Sequence, residues 1–447
     1  TLASGQAVAL KTDGTVEAVT GVEQGAGTPA VFENASTLEI SATYDSANNK
    51  IVIAYQDAGN SGYGTAVVGT VSGTSISFGT PVVFESAAIY YTSAVYDSTN
   101  GKVVIAYDDT GNSEYGTAIV GTVSGTSISF GTAVAFNNSQ SQNTSAVYDS
   151  ANSKVVISYR DGGSSFYGTA IVGTVSGTSI SFGTEVVFEY ADSRYMASTY
   201  DVTNGKVVIA YADFGNSQYG TAVVGTVSGT SISFGTATAF DGTGATYLSA
   251  TYDSDTSKVV IAYTVATVSG TAVVGTVSGT SISFGTPVVF NSPATRDTGA
   301  TYDTSAQKVV IVYRDDGNSN YGTAIAGTVS GTSISFEAPA VYESANSLGN
   351  SATYDSTNNK VVIAYYDVGN SSYGTSVVFT VGSTNNTSFV GITDEAISSA
   401  ASGSVIVQGG VNGKVTGLTI GADYYVQTDG SLSSPTAPAP YDIVGST

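Results

Sequence analysis

The chain contains no cysteine and no histidine. Disulfide and thiolate chemistry are therefore closed to it, and the redox compartment leaves no trace. The commonest general base, which is also the commonest zinc or copper ligand, is missing as well. Basic residues are scarce: 13 Lys and Arg against 35 Asp and Glu leave a net charge of -22. A surface of that sign repels phosphate backbones and anionic lipid, which argues against nucleic-acid binding and membrane adhesion. No apolar run reaches the ~18 to 20 residues of a membrane helix, so no membrane insertion is expected. Thr1 opens the sequence without Met and without a basic-then-apolar segment. A processed or incomplete N-terminus is expected, and location is not written in a targeting signal.

Charged residues make up only 11%, and Trp is absent; Gly (53), Tyr (30) and Phe (16) are abundant. This weakly charged composition, rich in Thr, Ser, Val and Tyr, is that of strands and turns. With 447 residues the chain can build one large all-β domain or two ordinary ones.

The dipeptide Tyr-Asp begins at Tyr44, Tyr96, Tyr148, Tyr200, Tyr252, Tyr302 and Tyr354, at intervals of 52, 52, 52, 52, 50 and 52 residues. The twelve residues GTVSGTSISFGT recur letter for letter from Gly69, Gly121, Gly173, Gly225 and Gly275. Each unit divides into four strand-like runs. In the second unit they are 92–96, the buried run 102–107, 115–123, and 127–130 leading into 134–136, separated by Asp-, Asn-, Gly- and Ser-rich turns. Seven such units predict a seven-bladed β-propeller with four antiparallel strands per blade. A β-solenoid fits less well, because its coils are shorter and its strands parallel. Small pairs such as Ser93-Ala94, Ser145-Ala146, Ser249-Ala250 and Ser351-Ala352 suit the crowded axis.

Unit seven reaches Asn386-Thr-Ser-Phe389 but lacks the GTPVVF half of the fourth strand, whose match, Gly27-Thr-Pro-Ala-Val-Phe32, stands at the start. The two segments are expected to be halves of one outer strand that closes the ring and leaves no open edge. Residues 25–389 then form the propeller, and 1–24 plus 390–447 form a small discontinuous β module for attachment.

The flanks carry Ser4-Gly-Gln-Ala-Val8, Thr12-Asp-Gly-Thr-Val16, Phe389-Val-Gly-Ile-Thr-Asp-Glu-Ala-Ile397, Gly409-Gly-Val-Asn-Gly413, Gly417-Leu-Thr-Ile-Gly421 and Tyr424-Tyr-Val-Gln-Thr-Asp-Gly-Ser-Leu432. This set resembles a small β module of bacteriophage tail-fibre and other virion proteins, and the repeats resemble propeller repeats of phage fibre proteins. The resemblance implies a virion-surface, extracellular, structural or adhesive protein that joins other virion proteins through the flanking module and meets a host-surface polysaccharide or other receptor. It leaves a homo-oligomer open. The alternatives are a capsid or tail decoration that binds nothing, and a cellular surface or filament adhesin.

Variation within the chain is one-sided. In propeller topology the loops joining strands two and three, and strand four to the next blade, share one face. The opposite face carries Tyr-Asp-Ser and Val-Ser-Gly-Thr turns in nearly every unit. The first face holds the differences: longer loops at 85–91, 137–143, 189–195, 241–247 and 291–297, and shorter ones around Asp-x-Gly-Asn. The predicted ligand-binding set lies there: Tyr90, Tyr91, Arg160, Phe166, Tyr190, Arg194, Tyr195, Phe214, Tyr247, Arg296, Arg314 and Tyr366. Tyr and Arg among Asn and Ser give broad contact at low entropic cost and directional hydrogen bonds, as sugar recognition needs. The bland alternative is drift in weakly constrained loops.

The frame Asp57-Ala-Gly-Asn60 recurs at Asp109, Asp213, Asp315 and Asp367. It has too few carboxylates for a dedicated calcium cage and reads as a hairpin turn, with Asp bonding backbone and Gly or Asn at positive φ. It resembles the Asp-box turn of sialidases, which is structural. One Lys follows each Tyr-Asp turn (50, 102, 154, 206, 258, 308 and 360), and a cross-strand Asp–Lys pair is expected in each hairpin. No nucleophile–base set, phosphate loop or unit with unusual paired acids stands out. The expectation is a protein with no catalytic residues, no metal and no cofactor, and not an enzyme.

Overall fold

A computed structural model describes residues 7–10, 16–18, 21–265, 268–384, 389–393, 405–406, 423–426, 432–433 and 443–446. The chain separates into two compact units, Ala26–Phe379 and a second built from Thr1–Gly25 with Thr380–Thr447.

The first unit is the repeat. In the blade that contains Tyr96, the inner segment pairs antiparallel with Lys102–Asp109, with Val104 opposite Val95 and Ile105 opposite Ala94. That strand pairs with Tyr115–Ser124, which pairs in turn with Ser127–Phe130. Among the described residues seven such antiparallel sheets follow one another. Their inner strands neighbour each other in chain order, and the seventh neighbours the first. The molecule is the all-β propeller that the repeat predicts.

The middle of the second strand of each blade is almost wholly apolar because both of its faces are covered. Val103, Val104, Ile105, Ala106 and Tyr107 are all fully buried. Each core lies between adjacent blades: Val52, Ala54 and Val68 of the first pack against Val103, Ile105 and Ile119 of the second. Val362, Ala364 and Val378 of the last blade pack against Ile51, Ile53 and Val67 of the first in the same way. A fully buried aliphatic side chain contributes about 1.5 to 3 kcal/mol of transfer free energy. The strand ends in a tyrosine whose ring packs on a Phe or Tyr of the outer strand, as Tyr107 does on Phe84 with centroids 5.3 Å apart. Its buried hydroxyl needs a partner. Tyr55 donates to Glu33 at 2.9 Å, Tyr211 to Glu189 at 3.0 Å and Tyr365 to Glu343 at 2.9 Å.

The longer segments of the variable face were expected to be loops. They are strands. Residues 85–91 fall inside Val82–Asp97, 137–143 inside Val134–Asp149, and 189–195 inside Val186–Asp201. The first part of each strand pairs with the third strand of its own blade and the second part with the next blade, so one strand belongs to two sheets. The reason is backbone satisfaction: a chain crossing between adjacent sheet edges can stay paired on both sides of a bulge. Among the described residues two crossings break, between Thr238–Asp241 and Ala245–Asp253, and between Val288–Asn291 and Thr295–Asp303.

Axial serines do more than fit. Ser41, Ser93 and Ser145 accept from the N–H of Ala94, Ala146 and Ser198 of the next blade, each at 2.9 Å, and Ser351 accepts from Ala42 at 3.0 Å. These N–H groups lie on inner strand edges that have no ladder partner toward the axis.

The ring closes through the segment near residue 27, which supplies the outer strand of the last blade. Val31 lies opposite Thr375, and the Gly27 N–H donates to the Val378 carbonyl at 2.8 Å. Of the expected other half, 386–389, only Phe389 is described. Phe389 lies in Phe389–Thr393 and pairs with Ala9 of Ala7–Leu10. Residues 386–388 lie outside the described residues.

In the second unit, one sheet runs Val16–Ala18, Ala7–Leu10, Phe389–Thr393, Val405–Ile406, and another sets Asp423–Val426 between Leu432–Ser433 and Ile443–Ser446. The segments 4–6, 12–15, 394–397, 409–413, 417–421 and 427–431, which carry part of the virion-protein resemblance, lie outside the described residues.

Candidate functional site

Five residues before each Tyr of Tyr-Asp stand Glu39, Tyr91, Asn143, Tyr195, Tyr247, Asp297 and Gly349. This column sits where each crossing strand turns onto the axis. All seven residues have left-handed backbones, with φ of 52, 52, 51, 53, 49, 50 and 61°. For a residue with a Cβ that region costs about 1 to 2 kcal/mol, and a bulky side chain there is an outlier. Six non-glycine residues hold it in one ring, and each aims a different side chain at the same space.

That space is a cavity of about 390 Å³ at the axial end of the variable face. Every blade lines it: the column residues do so, with Ile40, Thr92, Met196, Leu248 and Asn350 beside them and Tyr366 from the last blade. The Tyr195 and Tyr247 rings stand 5.5 Å apart at 47°. Column side chains also brace the next blade. Glu39 Oε2 accepts from the Tyr91 N–H and Asn143 Oδ1 from the Tyr195 N–H, both at 2.7 Å.

Burial pushes the Glu39 carboxyl up, against the pull of the Tyr91 and Thr92 N–H groups. Burial also raises Asp297, with Arg314 opposing and Asp316 reinforcing the rise. Tyr91 and Tyr195 are raised by burial first, and then by Glu39 and by Tyr247 respectively. Nearby, Asp108 is 1% exposed and its Oδ1 has no hydrogen-bond partner. Burial, followed by the charge of Glu114, pushes it up to about 7.

The four arginines do not line the cavity. They form two trios around it. Asp192 accepts from Arg160 Nε at 2.5 Å and from Arg194 Nη2 at 2.7 Å. Asp316 pairs with Arg314 at 2.6 Å and Arg296 at 2.9 Å. Arg160 is buried, bonds Gln142 as well, and lies 3.7 Å from the Phe166 ring centroid. Arg194 stacks on Phe214 at 4.2 Å. Burial raises Asp192, but the two guanidiniums outweigh it and hold the carboxyl below the usual range.

The structure thus brings Tyr91, Tyr195, Tyr247 and Tyr366 together at the cavity. It commits Arg160, Arg194, Arg296 and Arg314 to ion pairs, and Phe166 and Phe214 to the stacks. Tyr90 (43% exposed) and Tyr190 (75% exposed) stand outside the lining, with Tyr190 edge-on to Tyr167. Sequence reasoning passed over Glu39, Asn143 and Asp297, and the anchoring Asp192 and Asp316. The first three were findable as one column of the internal repeat alignment.

Two smaller expectations change. In the Asp-x-Gly-Asn turns the Asp carboxylate does accept backbone N–H, as Asp57 does from Asn60 at 3.1 Å. The left-handed residue, however, is the serine that follows: Ser61, Ser113, Ser217 and Ser371 have φ of 59, 59, 55 and 58°. The Asp–Lys pairs are in register, with Asp97 opposite Lys102. Yet the Asp97 carboxylate is taken by the Thr99 and Asn100 N–H groups and the Asn100 amide, so the Lys102 ammonium donates instead to Thr122 on the third strand at 2.9 Å.

No family model and no curated protein matches the sequence. Among solved structures, the chain is similar to a lectin from Burkholderia pseudomallei, with a TM-score of 0.59 and 8% identity over 79% of this chain and 98% of that one. It is also similar to the leech intramolecular trans-sialidase (TM-score 0.47, 8% identity, 78% of this chain and 69% of that one) and to the NanB sialidase of Streptococcus pneumoniae (0.46, 12%, 78% and 69%). The likeness concerns the fold. The expectation that the chain is not an enzyme is corrected on this finding, because enzymes stand among the structures it resembles. A propeller of this kind does not by itself separate binder from catalyst.

Proposed function

We propose that the propeller is a glycan-binding module whose ligand sits at the axial cavity of the variable face. The carrying observation is the column itself: seven blades each bring one column residue to a single 390 Å³ space, and six of these place a side chain there from a left-handed backbone. Left-handed backbones also recur in the structural turns, but only this column turns them onto a shared cavity, which supports a recognition site. Tyrosine faces beside carboxylates and amides match the stacking surface and the hydroxyls of a sugar. The shared fold with a lectin supports this reading.

The test is adsorption of the chain to candidate cells before and after their surface polysaccharide is stripped, together with a screen of immobilised glycans. Saturable binding that disappears on stripping, and that drops about tenfold or more in a Tyr195→Ala/Tyr247→Ala double variant with an unchanged melting curve, is the expected result. Binding that survives the double variant would move the site off the axis.

The finer placement we propose is a virion surface, with the 1–24/390–447 module joining other virion proteins and the propeller facing host polysaccharide. Its support is the resemblance of the flanking motifs. Detection of the chain in purified particles by peptide mass spectrometry tests it. A particle-bound chain that adsorbs to nothing would be a decoration, and a cell-borne chain an adhesin.

A further inference from the structure

We infer that the group seated at the axial cavity is a cation, an ammonium carried by an amino sugar whose nitrogen is not acylated. The inference rests on the glycan-binding reading above and adds the chemical class of the ligand.

The lining contains two carboxylates, Glu39 and Asp297, and neither Lys nor Arg. Three column tyrosines share the same space, two of them with ring centroids 5.5 Å apart. Aromatic faces arranged around a carboxylate form a cage in which the ring quadrupoles and the negative charge attract the same ligand charge. The Tyr91 and Thr92 N–H groups take two of the roughly four lone-pair sites of the Glu39 carboxylate, and an ammonium offers three donors for the rest.

The guanidiniums that would have welcomed an anion are engaged elsewhere. Arg160 and Arg194 are held by Asp192, and Arg296 and Arg314 by Asp316. An acidic sugar would bring its charge against Glu39 and Asp297. A neutral acetamide would bring no charge to Glu39, which lies among backbone N–H groups, whereas Asp297 already feels Arg314. The whole-chain charge of -22 draws cations toward such a cleft.

The experiment is titration calorimetry of the full chain, near neutral pH, with four probes: a glucosamine trimer, the N-acetylated trimer, a glucose trimer and choline. The glucosamine trimer is expected to bind about tenfold or more tighter than the other two trimers. Glu39→Gln is expected to reduce that preference to about twofold, and Asp297→Asn to weaken it independently, with folding of each variant checked by its melting curve. Equal or tighter binding of the N-acetylated or glucose trimer would overturn the cation while leaving the glycan reading standing. Choline binding as tightly as the amine trimer would overturn the sugar, and no binding by any of the four overturns the inference outright.

Discussion

The two faces of the propeller share one use of aspartate, closing a turn, and the variable face adds a second. On the repetitive face each Asp closes its own turn: Asp45, Asp97, Asp149 and Asp355 each bind the N–H groups of the next residues and an Asn amide. Tyrosine hydroxyls reach across that face to the neighbouring turn, as Tyr44 does to Thr357 and Tyr252 to Thr203, both at 2.7 Å. On the variable face Asp192 and Asp316 serve no turn. Asp316 joins Arg314 to Arg296 on the neighbouring strand, and Asp192 joins Arg160 of the sheet it edges to Arg194, which pairs with the next blade. Local bonding repeats because each unit can supply it alone, whereas bonding between different blades can differ at every position. The repeated hairpins therefore leave the other face free to become specific.

This contrast predicts unequal responses to one kind of substitution. Asp192→Ala strands the Arg160 guanidinium, whose side chain is 10% exposed, without its carboxylate. Losing one partner of a buried pair costs about 3 kcal/mol or more. Asp97→Ala removes a turn cap and is expected to cost about 1 kcal/mol, as is Asp149→Ala, because the two turns are alike. Asp316→Ala falls between them, because Asp297 still acts on Arg314. Urea unfolding of the four variants reads the order. Equal losses for Asp192→Ala and Asp97→Ala would erase the difference between the faces.

A second response depends on pH. Gln56, Asp108, Arg160, Ala212, Thr264, Arg314 and Tyr366 occupy one position at the end of the second strand. Most of the polar ones have found partners: Gln56 binds the Ile89 carbonyl, Thr264 the Thr295 carbonyl, and the arginines their aspartates. Asp108 Oδ1 has none, and its carboxyl is pushed up to about 7. An acid with a raised folded-state pKa binds more protons folded than unfolded. Its charge therefore destabilises the fold fully above about 7, and that penalty fades as the pH falls toward the ordinary value of 3.8. Asp108→Asn is expected to gain roughly 1 to 3 kcal/mol in mildly alkaline buffer and close to nothing in acid. Melting curves at several pH values check it, and a gain that does not vary with pH would mean that the charge is not its source.

Much of this was written in the sequence. The Tyr-Asp spacing marks the blades, the runs such as Lys102–Asp109 mark strands covered on both faces, and Gly27-Thr-Pro marks the closing strand. What stayed hidden depends on neighbours that are distant in sequence. Nothing local tells that Asp192 faces Arg160, 32 residues earlier on another strand of the same sheet. Residues 85–91 looked like a loop because their composition is mixed, yet pairing on both sides makes them strand. Of the segment 386–389 only Phe389 is described, and its partner, Ala9, is likewise far away in sequence. The axial column was legible but unread, because variable positions that line a site and variable positions that merely drift look alike until a backbone angle separates them.

That angle gives the smallest effect and the closest test of whether the column is kept for binding. Six of its residues hold a conformation that glycine accepts without penalty, and Gly349 shows that the ring tolerates glycine. Asp297→Gly relieves the left-handed backbone and removes a half-buried carboxyl, so a gain of about 0.5 to 1 kcal/mol is expected in urea unfolding. The reverse change, Gly349→Ala, places a Cβ at a φ of 61° and 3.1 Å from a Tyr366 ring carbon, and about 1 kcal/mol is expected to be lost. On the other face glycine takes a φ of about 60° at Gly73, Gly125, Gly177, Gly229, Gly279 and Gly331, but Asn49, Ser153, Ser257, Gln307 and Asn359 hold φ of 53 to 56° there as well, so the angle alone does not mark a binding site and the variant must decide. A stabilised Asp297→Gly that no longer binds ligand would show stability given up for recognition. A destabilised one would mean that the column side chains hold the ring together, and the argument from strain to function would fail.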